Sequence, residues 1–560
     1  WEASKVRDLF DSMFRGFPVG YLLFWENPPE DAGETQIGIG EHGHKRPSRL
    51  IIDGQQRLTS LYAVMKGKAI IDQDFREKRI QIAFHPLTAR FEVTSAAIRK
   101  SNEWIDDISN KVFANGAGTF TLVNQYISGL RAHREVTPEE QNLAAKNIER
   151  LLSLKNYPFH ALEVHAEADE EDVAEVFVRV NSQGKRLNQA DFILTLLSVF
   201  WDEGRKALED FARRSRIAPT DGRPSPYNHH IEPDADQLLR VAVAVGLRRA
   251  RLKYAYQFLR GKDVETGTFT AEAREKQLAR LRDAQAKVLN VTSWHEFLKV
   301  LISAGYRSRQ FLSSANTVLY CYAFYLIGRH DFAVPPADLR RIIARLYIMA
   351  TLTGHYTNSP ESQMDEDLAN IRGADTADDF VEALDKIISS RLTTDFWEIQ
   401  LPAAMEVSSG NAAVLRAYHA AQNYLDARVL YSTMRISELV DPALVNTRKP
   451  LERHHLFPRA WLHSQGIKEV RQTNQIANFA LVEWGDNASI SDRAPSEYAP
   501  EYEASFSAAE LASFYEHHAL PERWFDLDYW VFLEQRRKLM AGVIRKAYER
   551  LTADGATADE

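Results

Sequence analysis

The chain has 560 residues, 45% of them hydrophobic and 26% charged, with a formal net charge of −8. Its length leaves room for three or four domains with full cores in an ordinary globular balance, and the acidic excess argues against a protein that coats nucleic acid without local basic patches. No apolar run reaches bilayer-spanning length, no signal peptide is visible, and the single cysteine, Cys321, excludes an internal disulfide and fits a reducing, cytoplasmic setting.

Residues 5–15 read as an amphipathic helix with Val6, Leu9, Phe10 and Phe14 on one face; Gly16 and Pro18 end it, and 19–25 reads as a strand. A loop rich in Pro, Gly and His runs to Pro47, and its His42 and His44 read as solvated. A strand at 49–52, the polar string Asp53-Gly54-Gln55-Gln56-Arg57 and a helix at 58–65 follow. Residues 79–84 and 90–94 form an expected hairpin, 157–164 a further strand, and helices near 170–180 and 189–200 flank the loop 181–187. From about 200 to 440 the periodicity is almost wholly helical, with breaks at 223–226 and 334–336. Cys321 lies in an apolar, aromatic stretch and reads as a buried thiol. The last 150 residues carry a polar, histidine-rich segment and then two expected helices, the second over 528–551.

That segment, Glu452-Arg453-His454-His455-Leu456-Phe457-Pro458, is followed by Asn474, Asn478 and Asn487. The residue types suit phosphodiester hydrolysis, in which one divalent ion offsets charge on the phosphate and leaving oxygen while a neutral imidazole takes a proton from water. Adjacent residues on a strand face opposite ways, so His454 is assigned to the ion and His455 to the base. Asn487 is expected to supply an oxygen ligand and Asn478 to brace the loop. The dipeptide alone means little, since His229-His230 and His517-His518 lack this context. The full string resembles the HNH (ββα-metal) pattern of modification-dependent restriction enzymes of the GmrSD and SspE type.

A second site is expected where the strand at 49–52 turns into a helix. Gly54 permits the turn, free N–H groups at the helix start can receive phosphate oxygens, Arg57 can clamp a phosphate, and Asp53 can position a water or take its proton. Local features leave a purely structural turn equally open. Residues 52–61 are similar to the signature of the ParB/sulfiredoxin-like domain of GmrSD and SspE proteins, which the family uses for nucleotide hydrolysis; 177–187 with Asp191 resembles a second segment of that domain. The resemblance implies nucleotide contacts from Asp53, Gly54, Gln55, Gln56 and Arg57, with Asn181 and Lys185 brought to the pocket. Family members carry a Gln-Arg segment just before the position of Trp1, so part of that pocket is expected to lie upstream of this sequence.

Two basic clusters are candidate DNA contacts: Arg248, Arg249 and Arg251 with the cations that follow to 262, and Arg536, Arg537 and Lys538 on the last helix, the latter preferred for nearness in sequence to the histidine pair. A solvated helix face explains the first equally well. The expected fold is a multidomain, predominantly helical α+β protein: a ParB/sulfiredoxin-like α/β domain over 1–200, a helical coupling domain over 201–410 and an HNH domain over 411–560. The resemblance implies a nucleotide-regulated endonuclease of a restriction or anti-phage system that takes Mg²⁺ or Mn²⁺ as cofactor and nicks or cuts modified double-stranded DNA. NTP would serve as substrate or effector, and a homodimer is left open. The alternatives are a nucleotide-switched DNA-binding protein with an idle HNH fold, and a constitutive nuclease with a non-hydrolysing sensor domain.

Overall fold

The computed structural model describes residues 2–26, 49–71, 76–114, 116–165, 201–220, 222–251, 270–440, 451–483 and 492–553, with the single positions 176, 194, 197 and 490. The loop bearing His42 and His44, the helices expected at 170–180 and 189–200, and the cations at 253–262 lie outside the described residues, the isolated positions aside. The chain divides into two compact units, Trp1–Asp202 and Glu203–Glu560, so that the stretches 201–410 and 411–560 fall almost entirely in one unit.

In the first unit, α1 (Ala3–Arg15) buries Val6, Leu9, Phe10, Met13 and Phe14, the i, i+3, i+4 stripe of an amphipathic helix, and Gly16 closes it in the left-handed region. Strand β1 (Tyr21–Glu26) is central in a three-stranded sheet, antiparallel to β2 (Arg49–Asp53) and parallel to β5 (His160–Val164). Helix α2 (Gln55–Lys66) leaves the end of β2 after one residue. The hairpin of β3 (Ile82–His85) and β4 (Arg90–Val93) packs on α1, where the Phe14 ring lies 5.3 Å from Phe84 and 5.6 Å from Phe91. Helices α3 (Thr119–Arg131) and α4 (Pro138–Ser153) fill an interval to which the sequence reading assigned no element; α4 opens with a Thr137/Glu140 capping box and Pro138 in its first turn.

Around α5 (Asp202–Arg214), the second unit begins a succession of helices: α6 (Ala235–Leu247), α7 (Ala271–Val288), α8 (Val291–Ser303), α9 (Ala315–His330), α10 (Pro336–Thr353), α11 (Pro360–Asn370), α12 (Ala377–Arg391) and α13 (Ala413–Tyr424). Helix α9 is apolar on all sides and its Cys321 is buried, which pushes the thiol up, away from the nucleophilic thiolate. An antiparallel ribbon follows, β6 (Leu451–His455) with β7 (Phe479–Glu483), separated by the short α14 (Arg459–Ser464). Three longer helices come after β7, where two were expected: α15 (Pro495–Glu503), α16 (Ala508–His517) and α17 (Tyr529–Ala553). The Ser507/Glu510 capping box starts a separate helix, α16, within the interval.

A buried polar chain joins α13 to the end of α16. His419 Nδ1 donates to Gln422 Oε1 (2.9 Å), Gln422 Nε2 donates to the His517 carbonyl (3.0 Å) and faces His518 Nδ1 (3.4 Å), and His518 Nε2 donates to the Arg428 carbonyl (2.9 Å). The neutral form of His518 is favoured because a proton on its Nδ1 would face another donor, and that of His419 because the ring is buried. Burial pushes His419 down to about 4 and His518 to about 3. With an unfolded value of about 6.5, each favours the folded state above that pH and withdraws its support as pH falls toward the folded value. Between pH 7.5 and 5.5, His518 is therefore expected to account for roughly 1 kcal/mol of lost stability. Denaturant titrations of the parent and His518→Gln at both pH values check this; equal losses in the two proteins would contradict it.

Candidate functional site

The histidine pair stands at the end of β6, in register with β7 as His454 opposite Ala480 and His455 opposite Phe479. Strand alternation separates the two rings. His454 is buried, at 3% exposure, edge-on to Tyr498 of α15 with centroids 5.9 Å apart. His455 is partly buried, its ring 4.4 Å from Phe479, and its Nε2–H donates to Asn474 Oδ1 at 3.0 Å. That bond leaves the lone pair on Nδ1. Burial, with a lesser push from Arg459, holds the His455 imidazole below its ordinary range against the opposing Asn474 bond, which favours the neutral, proton-accepting ring.

The turn after His455 is tightly held. Fully buried Asn478 accepts from the Phe457 N–H (2.8 Å) and donates to the Phe457 and Thr473 carbonyls (3.0 and 3.1 Å). The Leu456 N–H donates to the Asn478 carbonyl (2.8 Å), and Tyr498 Oη donates to the Leu456 carbonyl (2.6 Å). Phe457 is wedged among Trp461, Trp524, Tyr529 and Phe532 at ring separations of 4.8–5.9 Å. Asn487 lies outside the described residues. Among the described residues no three His, Cys, Asp or Glu side chains gather as a metal cage.

At the N-terminal turn, Asp53 ends β2 and Gly54 precedes α2 at φ 95°, where a Cβ would lie 2.3 Å from Leu22 Cδ2. The left-handed backbone therefore calls for glycine there, and a Cβ would in addition displace the Leu22 methyl. The start of α2 carries no side-chain cap, and Gln55 and Gln56 are exposed. Arg57 is already engaged: one guanidinium nitrogen donates to Asp53 Oδ2 (2.9 Å) and another to the Val19 carbonyl (2.9 Å). It closes the Val19-Gly20 turn onto α2, and a Cβ on Gly20 would lie 2.6 Å from it. The side chains of Arg57 and Asp53 keep 13% and 25% exposure, so the pair borders solvent. Asn181 and Lys185 lie outside the described residues, so their place at this turn is not described.

Within the basic clusters, Arg536 needs correction. Arg536 is fully buried and donates to the carbonyls of Ala477 (2.6 Å) and His518 (3.1 and 3.2 Å); it braces the ribbon and cannot reach a phosphate. Arg537 is bonded to Gln475 and Glu406, and Lys538 pairs with Glu534 on the surface. Arg248 bonds the Val245 carbonyl and Asp331, while Arg249 and Arg251 line a cavity. The sequence reading gave no role to Asn474, Tyr498 or this buried use of Arg536. The four-residue spacing of Asn474 and Asn478 was the available signal for the first.

Residues 1–198 match the family model for the N-terminal domain of the GmrSD restriction endonuclease, which supports placing this part of the chain with the GmrSD type. Over 535 residues the chain is 21% identical to an uncharacterized protein of Methanocaldococcus jannaschii, the match covering 90% of this chain and 82% of that one.

Removing Asn478 takes a partner from three backbone groups of a dry turn, of which the Thr473 carbonyl keeps a long bond from Tyr529 Oη, so Asn478→Ala is expected to cost about 2–4 kcal/mol of stability, against about 1 kcal/mol for Asn474→Ala at the half-open edge. Denaturant midpoints of the two variants check the order; equal losses would show that the turn is not held through Asn478.

Proposed function

We propose that the chain is a nucleotide-regulated, metal-dependent DNA endonuclease of a modification-dependent restriction system, with an HNH site on the β6–β7 ribbon and a ParB/sulfiredoxin-like nucleotide site at Asp53–Arg57. The observation that carries this reading is the His455–Asn474 pair on a rigidly braced ribbon, in a chain whose N-terminal third matches the GmrSD domain. His455, with Nε2 tied to Asn474, takes the proton of the attacking water at Nδ1. His454 on the opposite face of the strand and Asn487 would hold a Mg²⁺ or Mn²⁺ ion, which when bound offsets charge on the phosphate and leaving oxygen. At the other site, the uncapped start of α2 receives phosphate oxygens, Arg57 binds them in exchange for one of its present acceptors, and Asp53 positions a water.

One observation favours a second reading of the N-terminal site. Arg57 and Asp53 satisfy each other, as in a structural clamp, and a domain that senses nucleotide or DNA without hydrolysing it would need nothing more.

Loss of a general base typically costs on the order of 10²–10⁴ in rate, so His455→Ala is expected to abolish plasmid cleavage while leaving DNA binding nearly intact. Asn474→Ala should lower the cleavage rate less, by roughly tenfold, through loss of one orienting bond. His454→Ala and Asn487→Ala should shift the Mg²⁺ requirement upward, with partial rescue by Mn²⁺. Cleavage by His455→Ala within a fewfold of the parent, or unaltered metal titrations, would sink these assignments.

Phosphate release separates the two N-terminal readings. Asp53→Ala and Arg57→Ala should each abolish NTP turnover without moving the metal titration of cleavage; turnover at parental rates in both would remove this turn from catalysis. NTP should also change the parent's cleavage rate, since it regulates only by binding two states unequally.

A further inference from the structure

A cavity of about 640 Å³ in the second unit is lined by Arg249, Arg251 and Arg391, with Ser362 and Gln363 at its edge. It lies where the segment after α6, the first turn of α11 and the last turn of α12 meet. The sequence brings these cations from positions up to 142 residues apart, so the cavity is a tertiary product. Arg251 is fixed there, with Nε 3.3 Å from Asp365 and another guanidinium nitrogen donating to Ser362 Oγ at 2.9 Å. Asp365 also accepts from the Ala250 N–H at 2.6 Å, and Glu366 accepts from Gln363 Nε2 at 3.0 Å, which orients its carboxylate without neutralising it. His355 belongs to the floor: its Nε2 and the Tyr356 hydroxyl both bond Asp367, at 2.9 and 2.7 Å.

Two features leave the cavity electropositive. Helix α11 starts with Pro360 and has no side-chain cap, so the first-turn N–H groups and the positive end of the helix dipole face the same region as Arg251 and Ser362. Arg391, exposed at the end of α12, makes no ion pair among the described residues. Three guanidiniums against two carboxylates leave one net positive charge beside a helix start, which suits an anionic group with several acceptor oxygens.

We propose that this cavity binds a phosphoryl group, carried by a nucleic-acid backbone or by a free nucleotide. The inference is independent of the nuclease reading, since it needs only binding. The full chain is titrated with a short DNA duplex by anisotropy across salt concentrations, and with ATP and inorganic phosphate by calorimetry, using Arg391→Ala, Arg391→Lys and Arg249→Ala. If the backbone is the ligand, Arg391→Ala and Arg249→Ala each weaken duplex binding roughly tenfold at low salt and lower the salt slope by about one, with Arg391→Lys keeping most of the slope. If a nucleotide is the ligand, the two alanine variants lose one ATP-binding event that Arg57→Ala retains. Arg391 is exposed, and melting curves matching the parent's exclude unfolding as the cause. Duplex, ATP and phosphate binding unchanged in both alanine variants would overturn the proposal, whatever becomes of cleavage.

Discussion

The closure of the Asn478 side chain on the backbone of Phe457, 21 residues away, is the constraint on which the C-terminal architecture depends. A two-stranded ribbon is marginal by itself. Here the amide supplies what a third strand would, because it pairs both backbone polar groups of one residue and reaches on to Thr473. The turn is then dry enough for Phe457 to sit in an aromatic box, and the end of β6 has no freedom to rotate His455 away from Asn474. The orientation of a partly buried imidazole is thus set by hydrogen bonds two steps removed from it.

Arg536 takes the same logic to a charged group. A guanidinium removed from water costs several kcal/mol, and no carboxylate repays it among the described bonds. Three charge-assisted bonds to two carbonyls, each contributing about 1.5–3 kcal/mol, offset that cost, and the Phe532 ring lies 5.9 Å from the cation. Both carbonyls, of Ala477 and His518, come from segments that leave ordinary helix or strand geometry and have acceptors to spare. One long helix therefore gathers the ribbon loop and the end of α16, and the neutral His518 beside it keeps a second positive charge out of the same dry space.

The parts legible in the sequence were those whose cause is local. Helix α1 follows from its apolar stripe, the β2–α2 turn from glycine after a strand, and the β3–β4 hairpin from two short apolar runs around a turn. Helices α3 and α4 were missed, although each carried a local signal, Leu122, Val123, Tyr126 and Ile127 in one and the Thr137/Glu140 box in the other. Arg536 was misread because it was counted with its basic neighbours. Periodicity instead places it on the stripe of Leu533, Met540, Val543 and Ile544, the buried face of α17. What no spacing rule contains is the set of long-range partners: Asn474 for His455, Val19 for Arg57, Asp365 and Ser362 for Arg251.

Those partners also explain why counting cations along a chain of net charge −8 says little about where a polyanion can bind. Along α17, Lys538 meets Glu534, Arg545 meets Glu549 and Lys546 meets Glu516, and each surface pair cancels the distant field of its cation while adding little to stability. A charge whose partner lies one turn away attracts a phosphate only if the phosphate outcompetes a tethered carboxylate. An electropositive site in such a protein has to be assembled from cations whose neighbours are already bonded elsewhere. Arg391 at the end of α12, which makes no ion pair among the described residues, meets that condition, whereas Lys538, Arg545 and Lys546 on the last helix do not.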